Sequence, residues 1–234
     1  GDNLRVLYNY KTNFFEKIDT EQKAYFLGFM CADGYNCNKK TSKYIRITLH
    51  KQDRHILEAF QSCIGSSYLL RESRDKYISL QINGSKISDD LVKLGCVRAK
   101  TLILKFPTKE QVPSKLLNHY IRGYFDGDGC VWGGERKVMY FKSRPQGRVV
   151  HNVKFNITST PEVILGIQDE LVTKLGFSRN RVNTSKGIGQ CVQLEYSGRG
   201  SLRKFHDYIY QNSTVFLKRK KEKFDDILSC ANMG

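Results

Sequence analysis

Asp33 and Asp128 share the same surroundings. Each precedes a glycine and follows another by five residues, Gly28 and Gly123. The segment Phe26-Leu-Gly-Phe-Met-Cys-Ala-Asp-Gly34 lies over Ile121-Arg-Gly-Tyr-Phe-Asp-Gly-Asp-Gly129 without a gap, so the two aspartates are 128 − 33 = 95 residues apart. A duplicated segment that ends twice in a carboxylate can bring both acids to one place. Two carboxylates held close repel, and one takes up a proton unless a metal or another positive charge lies between them. An Asp-Gly pair alone is an ordinary turn. A calcium loop starting at Asp126 fails, because its fifth position is Cys130 and its twelfth is Lys137. Two such endings at matched register weigh for a chemical site.

The elements that must position these acids can be read from periodicity. Leu116, Leu117, Tyr120, Ile121, Tyr124 and Phe125 fall at helical spacing before Asp128. Gly123 inside that helix costs about 1 kcal/mol relative to Ala, which calls for a close backbone neighbour. The first copy, starting near Thr20 with Asp19 or Thr20 as cap and Glu21 in its first turn, is the natural partner. Two glycine-bearing helices are therefore expected side by side.

Tyr44–Leu49 and Tyr77–Ile82 alternate as half-buried strands do, with a strand or hairpin expected around Ser67 to Arg71. Helices are expected around Ile56, Leu57 and Phe60 and over Ile87, Leu91 and Leu94 up to Gly95. The second unit repeats the order, with Asn152–Thr158 as strand and Val163–Gln168 as helix. Asp33 to Leu57 spans 24 residues and Asp128 to Leu165 spans 37, so the second copy carries 37 − 24 = 13 extra, placed in a basic hairpin from Trp132 to Arg148. Residues 1–19 read as an arm, 20–106 as the first half, 107–113, bounded by Pro107 and Pro113, as linker, and 114–234 as the second half. Helices and strands in this order imply an α+β architecture.

The 234 residues are 40% hydrophobic, enough for a sizeable core, and 39 Lys and Arg against 23 Asp and Glu leave a net charge of +16. Such an excess points to a polyanionic partner, nucleic acid first. No apolar run approaches the roughly 18 residues of a membrane span, and no leader precedes the fold, so an intracellular, soluble protein without a membrane role is expected. The seven cysteines show no zinc spacing and read as reduced thiols.

The paired segments resemble the two LAGLIDADG motifs of single-chain homing endonucleases, from about Thr20 onward. Asp33 and Asp128 match the penultimate, catalytic acid of that motif. The first copy departs at the sixth position, Cys31 against Asp126 in the second, which argues against a catalytic part for Asp126. The resemblance implies two pseudo-symmetric αββαββα halves forming a β-saddle over the DNA major groove. It also implies Mg²⁺ held by Asp33, Asp128 and the carbonyls of Ala32 and Gly127, with Ca²⁺ able to fill the sites without supporting cleavage. Lys100 and Lys220 match a basic residue that assists the reaction. A monomer that cuts both strands of double-stranded DNA at a long, near-palindromic or asymmetric target, leaving short 3′ overhangs in the service of intron homing, is the expected activity.

On such a saddle the polar strand faces would read bases: Tyr44, Arg46, Thr48, Ser79, Gln81, Lys154, Asn156, Gln193 and Glu195, with Arg suited to guanine and Gln or Asn to adenine. Lys137, Lys142, Arg144 and Arg148 of the insertion are suited to phosphates. The same faces could also be merely the wet side of half-buried strands. An RNA-splicing maturase or a non-cutting nucleic-acid-binding regulator on the same fold is the alternative function. The ends carry no splicing cysteine or terminal His-Asn, which favours a free-standing protein over an intein part.

Overall fold

The computed structural model describes residues 8–73, 75–97, 103–138, 148–180, 182–184 and 191–230, with backbone only at 136–138, 148–150 and 183–184. The first half runs α1 (Glu21–Asp33), β1 (Tyr35–Lys39), β2 (Ser42–His50), α2 (Arg54–Ile64), β3 (Arg71–Glu72), β4 (Tyr77–Asn83) and α3 (Ser85–Lys93). The second runs α4 (Leu117–Asp128), β5 (Gly129–Val138), β6 (Arg148–Ser159), α5 (Pro161–Leu175), β7 (Asn183–Thr184), β8 (Val192–Ser197) and α6 (Arg199–Tyr210), followed by α7 (Lys218–Ser229). Each half has an antiparallel four-stranded sheet, ordered β1-β2-β4-β3 and β5-β6-β8-β7. The α+β, twice αββαββα architecture is thus present, with α7 added.

Local chemistry explains the element ends. The Thr20 hydroxyl accepts from the Lys23 N–H and the Thr160 hydroxyl from the Val163 N–H, capping α1 and α5. Gly65 and Gly176 close α2 and α5 at φ +61° and +65°, the left-handed region where only glycine is unstrained. The strand expected over Ser67 to Arg71 begins only at Arg71, because Gln61 and Asn9 side-chain and main-chain groups take the hydrogen bonds of Ser67 and Tyr68 instead. In the arm, Phe14, Phe15 and Ile18 are buried and the Lys11 N–H bonds the Ile64 carbonyl.

The strand ladders refine the position of the insertion. Tyr35 and Cys130 each lie two residues after their aspartate, and they pair with Arg46 and Asn156. The separations are 11 and 26, so the β5–β6 hairpin carries 26 − 11 = 15 extra residues. Arg46 to Leu57 is 11 and Asn156 to Leu165 is 9, so two are lost where the first half makes its 3-10 turn at Lys51–Asp53, and the net of 13 stands. Arg46 therefore corresponds to Asn156, and Gln81 to Glu195.

The centre of the molecule is the α1–α4 pair. A Cβ on Gly28 would sit against the Tyr120 carbonyl oxygen, and one on Gly123 against the Tyr25 carbonyl oxygen, both closer than real Cβ atoms come. Since 25 + 95 = 120 and 28 + 95 = 123, each glycine meets the counterpart of the other's neighbour, which is the mark of a pseudo-twofold axis between the helices. Arg122 is fully buried here, donating to Glu21 Oε1 at 2.8 Å, the Ile209 carbonyl at 2.7 Å and the Val215 carbonyl at 3.0 Å, with its Nη1 2.7 Å from His119 Nδ1. Burial, then the adjacent guanidinium, pushes the His119 imidazole down to about 4.

Two predictions follow from the seam. Gly28→Ala or Gly123→Ala must part the helices, and each is expected to cost about 4 kcal/mol or more in urea unfolding. His119 stays neutral in the fold but protonates below pH about 6.5 once unfolded, so its contribution is present above that pH and lost as pH falls toward 4. The stability advantage of the wild type over His119→Gln should shrink by up to about 3 kcal/mol between pH 7 and pH 4.

Candidate functional site

α1 and α4 end together. A Cβ on Gly127 would lie 2.5 Å from the Ala32 Cβ and 3.4 Å from the Asp33 Cβ, so the last turns of the helices are in contact at the positions that carry the paired acids. Asp33 and Asp128 are both exposed. Two residues apart on a helix means roughly 200° of rotation, and Asp126 accordingly points the other way, into the seam. There its Oδ2 accepts from the Tyr25 hydroxyl and the Leu217 N–H, both at 2.8 Å. Burial raises the Asp126 carboxyl to about 6, and its Oδ1 has no hydrogen-bond partner. Cys31, its counterpart, is buried beside Tyr120.

The structure thus brings Asp33, Asp128, Ala32 and Gly127 to one spot. Two carboxylates there coincide with the carbonyl ends of two helices, which carry partial negative charge, and neither last turn contains a basic residue. Hard oxygen donors in a negative setting fit a hard divalent cation of the Mg²⁺ or Ca²⁺ class. Among the described residues no three His, Cys, Asp or Glu side chains gather as a metal site. Carboxylates and main-chain carbonyls are therefore what the protein offers, with the rest of a six-ligand shell left to water and substrate oxygen.

Lys220 lies under the end of α4 and is buried. Its ammonium donates to the carbonyls of Phe125 at 2.7 Å, Asp126 at 2.9 Å and Gly129 at 2.6 Å, which uses all three of its protons. Desolvation brings it down to about 8, opposed by the Asp126 carboxylate. Lys100, Lys142 and Arg144 lie outside the described residues, and for Lys137 and Arg148 only the strand backbone is described.

The other expected readers fall on two sheet faces. In the first sheet Ile45, Ile47, Leu49, Ile78, Leu80 and Ile82 are buried, while Arg46 pairs with Gln81, and Thr48 with Ser79, on the opposite face. Tyr44 shares that face, and the Arg46 guanidinium lies 5.3 Å from the Tyr35 ring and 5.8 Å from the Tyr44 ring. In the second sheet Asn156 pairs with Glu195, and Thr158 with Gln193. Lys154 holds Glu195 at 2.9 Å. Tyr35, Arg71 and Trp132 occupy the same faces by ladder parity. Sequence reading passed them over because β1, β3 and β5 are short or glycine-rich and show no alternation. A count back from the paired strand could have found Tyr35.

Residues 115–210 match the model of the LAGLIDADG-like domain family. No curated protein matches the chain in sequence. Among solved structures, the I-LtrWI LAGLIDADG homing endonuclease bound to target DNA is 12% identical with a TM-score of 0.60, covering 89% of both chains. The LAGLIDADG meganuclease I-AabMI bound to uncleaved DNA is 14% identical with a TM-score of 0.58, covering 90% of both. I-SmaMI bound to an uncleaved DNA target in the presence of calcium ions is 12% identical with a TM-score of 0.57, covering 89% of both. Residues 115–210 thus carry a LAGLIDADG-like domain, an in-register copy of its motif lies at Phe26–Gly34, and over nearly its whole length the chain shares the two-half fold of the LAGLIDADG homing endonuclease structures.

Proposed function

We propose that the protein is a site-specific double-strand DNA endonuclease, hydrolysing one phosphodiester on each strand and leaving short 3′ overhangs. One observation carries the reading: two solvent-facing carboxylates, 95 residues apart in sequence, at the joined ends of two backbone-contacting helices. The DNA bound to the similar structures and the +16 charge support the same partner. Each half brings one acid, so a single chain suffices for both strands, and no dimer is required for a long target of near-palindromic or asymmetric sequence.

Phosphodiester hydrolysis needs an activated water, neutralised charge at phosphorus and a stabilised leaving oxygen. Bound Mg²⁺ would supply Lewis acidity and lower the pKa of a bound water. Asp33 and Asp128 would hold it, assisted by the Ala32 and Gly127 carbonyls. Ca²⁺ fits the same oxygens but is softer in geometry, which suits binding without cutting. Lys220 supports the site by holding the carbonyls beside Asp128 in place, and Lys100 is the matching candidate in the first half. On the sheet faces, Arg46 is suited to guanine and Asn156 to adenine. Lys137, Lys142, Arg144 and Arg148 are suited to phosphates.

Selection of cut sites from a randomised DNA pool in Mg²⁺ should yield one long consensus. Asp33→Asn or Asp128→Asn should then lower double-strand scission by at least about 100-fold, with affinity in Ca²⁺ kept within a few-fold. Specific RNA binding without DNA cleavage would overturn the reading in favour of a maturase. Replacing Lys137, Lys142, Arg144 and Arg148 together by Ala should weaken binding and make the slope of log K against log salt shallower by roughly 3 to 4, as a filter-binding titration would measure.

A further inference from the structure

Between α6 and α7 the chain leaves the second half, crosses the helix seam and is fastened at almost every step. The Thr214 and Val215 N–H groups donate to Glu21 Oε1 at the start of α1, at 2.6 and 3.2 Å. The Leu217 N–H holds Asp126 on α4, and the Lys218 N–H donates to His55 Nε2 of the first half at 3.3 Å. Arg219 then grips Asp53, in the 3-10 turn after β2, with Nε at 2.9 and 3.1 Å from its two oxygens and Nη2 at 3.0 Å. One residue later, Lys220 caps the end of α4 with its three donors. Adjacent residues therefore hold the first half at one point and the acid-bearing helix end of the second half at another, with a single Cα–Cα step of about 3.8 Å between them.

The two ends of this tether differ in burial. The Asp53 side chain is 4% exposed and that of Arg219 52%. A buried carboxylate is costly without a partner, and two-pronged guanidinium contact sets direction as well as distance. Helix ends, by contrast, fray where their last carbonyls lack partners. Asp128 is the last residue of α4, so whatever holds that turn also sets where its carboxylate points.

We infer that the Asp53–Arg219 pair is a latch between the halves that, through Lys220, holds Asp128 in register with Asp33 so that the two DNA strands are cut in step. The inference rests on the endonuclease reading above. Asp53 and Arg219 act here as positioning residues, since their mutual contact lies outside the paired acids.

Arg219→Gln, Asp53→Asn and the double variant test it. The double variant removes both charges, so no buried carboxylate is left alone. In the free protein, hydrogen exchange at the Leu217 amide, and at the Gly129 amide bonded to the Phe125 carbonyl, should quicken by roughly ten-fold in each variant, with the β6–β8 ladder amides unchanged. On a supercoiled plasmid carrying the selected site, nicked circles should accumulate as the main early product, whereas the wild type proceeds to linear DNA, and affinity should stay within about two-fold. The double variant should be no worse than the poorer single one, and Arg219→Lys, which keeps the charge without the fork, should fall between. Unchanged protection at Gly129 overturns the latch, as do nicked and linear products in wild-type proportion with only a drop in stability. A wild-type chain that cuts no DNA defeats the endonuclease reading instead, and the exchange measurement then decides the latch alone.

Discussion

The contact between the main chains of α1 and α4 at Gly28 and Gly123 is the constraint from which the rest of the molecule follows. Each glycine lowers the helical propensity of its own segment by about 1 kcal/mol, and each is matched by a carbonyl of the other helix where a side chain would stand. With the two axes this close, every pair of positions offset by 95 is placed symmetrically about the seam: Tyr25 with Tyr120, Cys31 with Asp126, and at the far end Asp33 with Asp128. A wider crossing would leave the last two on separate surfaces.

Helical geometry then divides the acids into two kinds. Asp126 and Asp128 are two residues apart and face opposite ways. The first lies in the seam, its carboxyl raised by burial and its Oδ2 occupied by Tyr25 and Leu217; the second faces solvent at the junction of two negative helix ends. The duplicated motif tolerates Cys31 at the inner position because Tyr120 and the surrounding core fill that side. It keeps an acid at the outer position in both copies. In a chain of net charge +16, this acidic pair is a place where a divalent cation would offset the local negative charge.

The halves are alike in topology and unlike in detail. The β5–β6 hairpin is longer than β1–β2 by 15 residues, the first half has two more residues of connection after its second strand, where it makes a 3-10 turn, and α7 returns across the seam. That turn presents Asp53 to Arg219. The sheet faces differ too, with Arg46 against two tyrosine rings on one side and Lys154 held by Glu195 on the other.

The sequence by itself determined the duplication, the helices and alternating strands, the outward polar faces and the identity of the paired acids. These depend on spacing along the chain, and periods of 3.6 and 2 record which side of an element is buried. They do not record what it is buried against. That is why the 13-residue insertion was countable from the sequence, while its division into 15 added and two lost needed the ladder partners of Arg46 and Asn156. The three carbonyls around Lys220, the grip of Arg219 on Asp53 and the crossing of Thr214–Lys220 join residues 91 to 194 positions apart. Contacts at such separations leave no local pattern, because the closing of the helix seam, and not the sequence near either partner, brings them together.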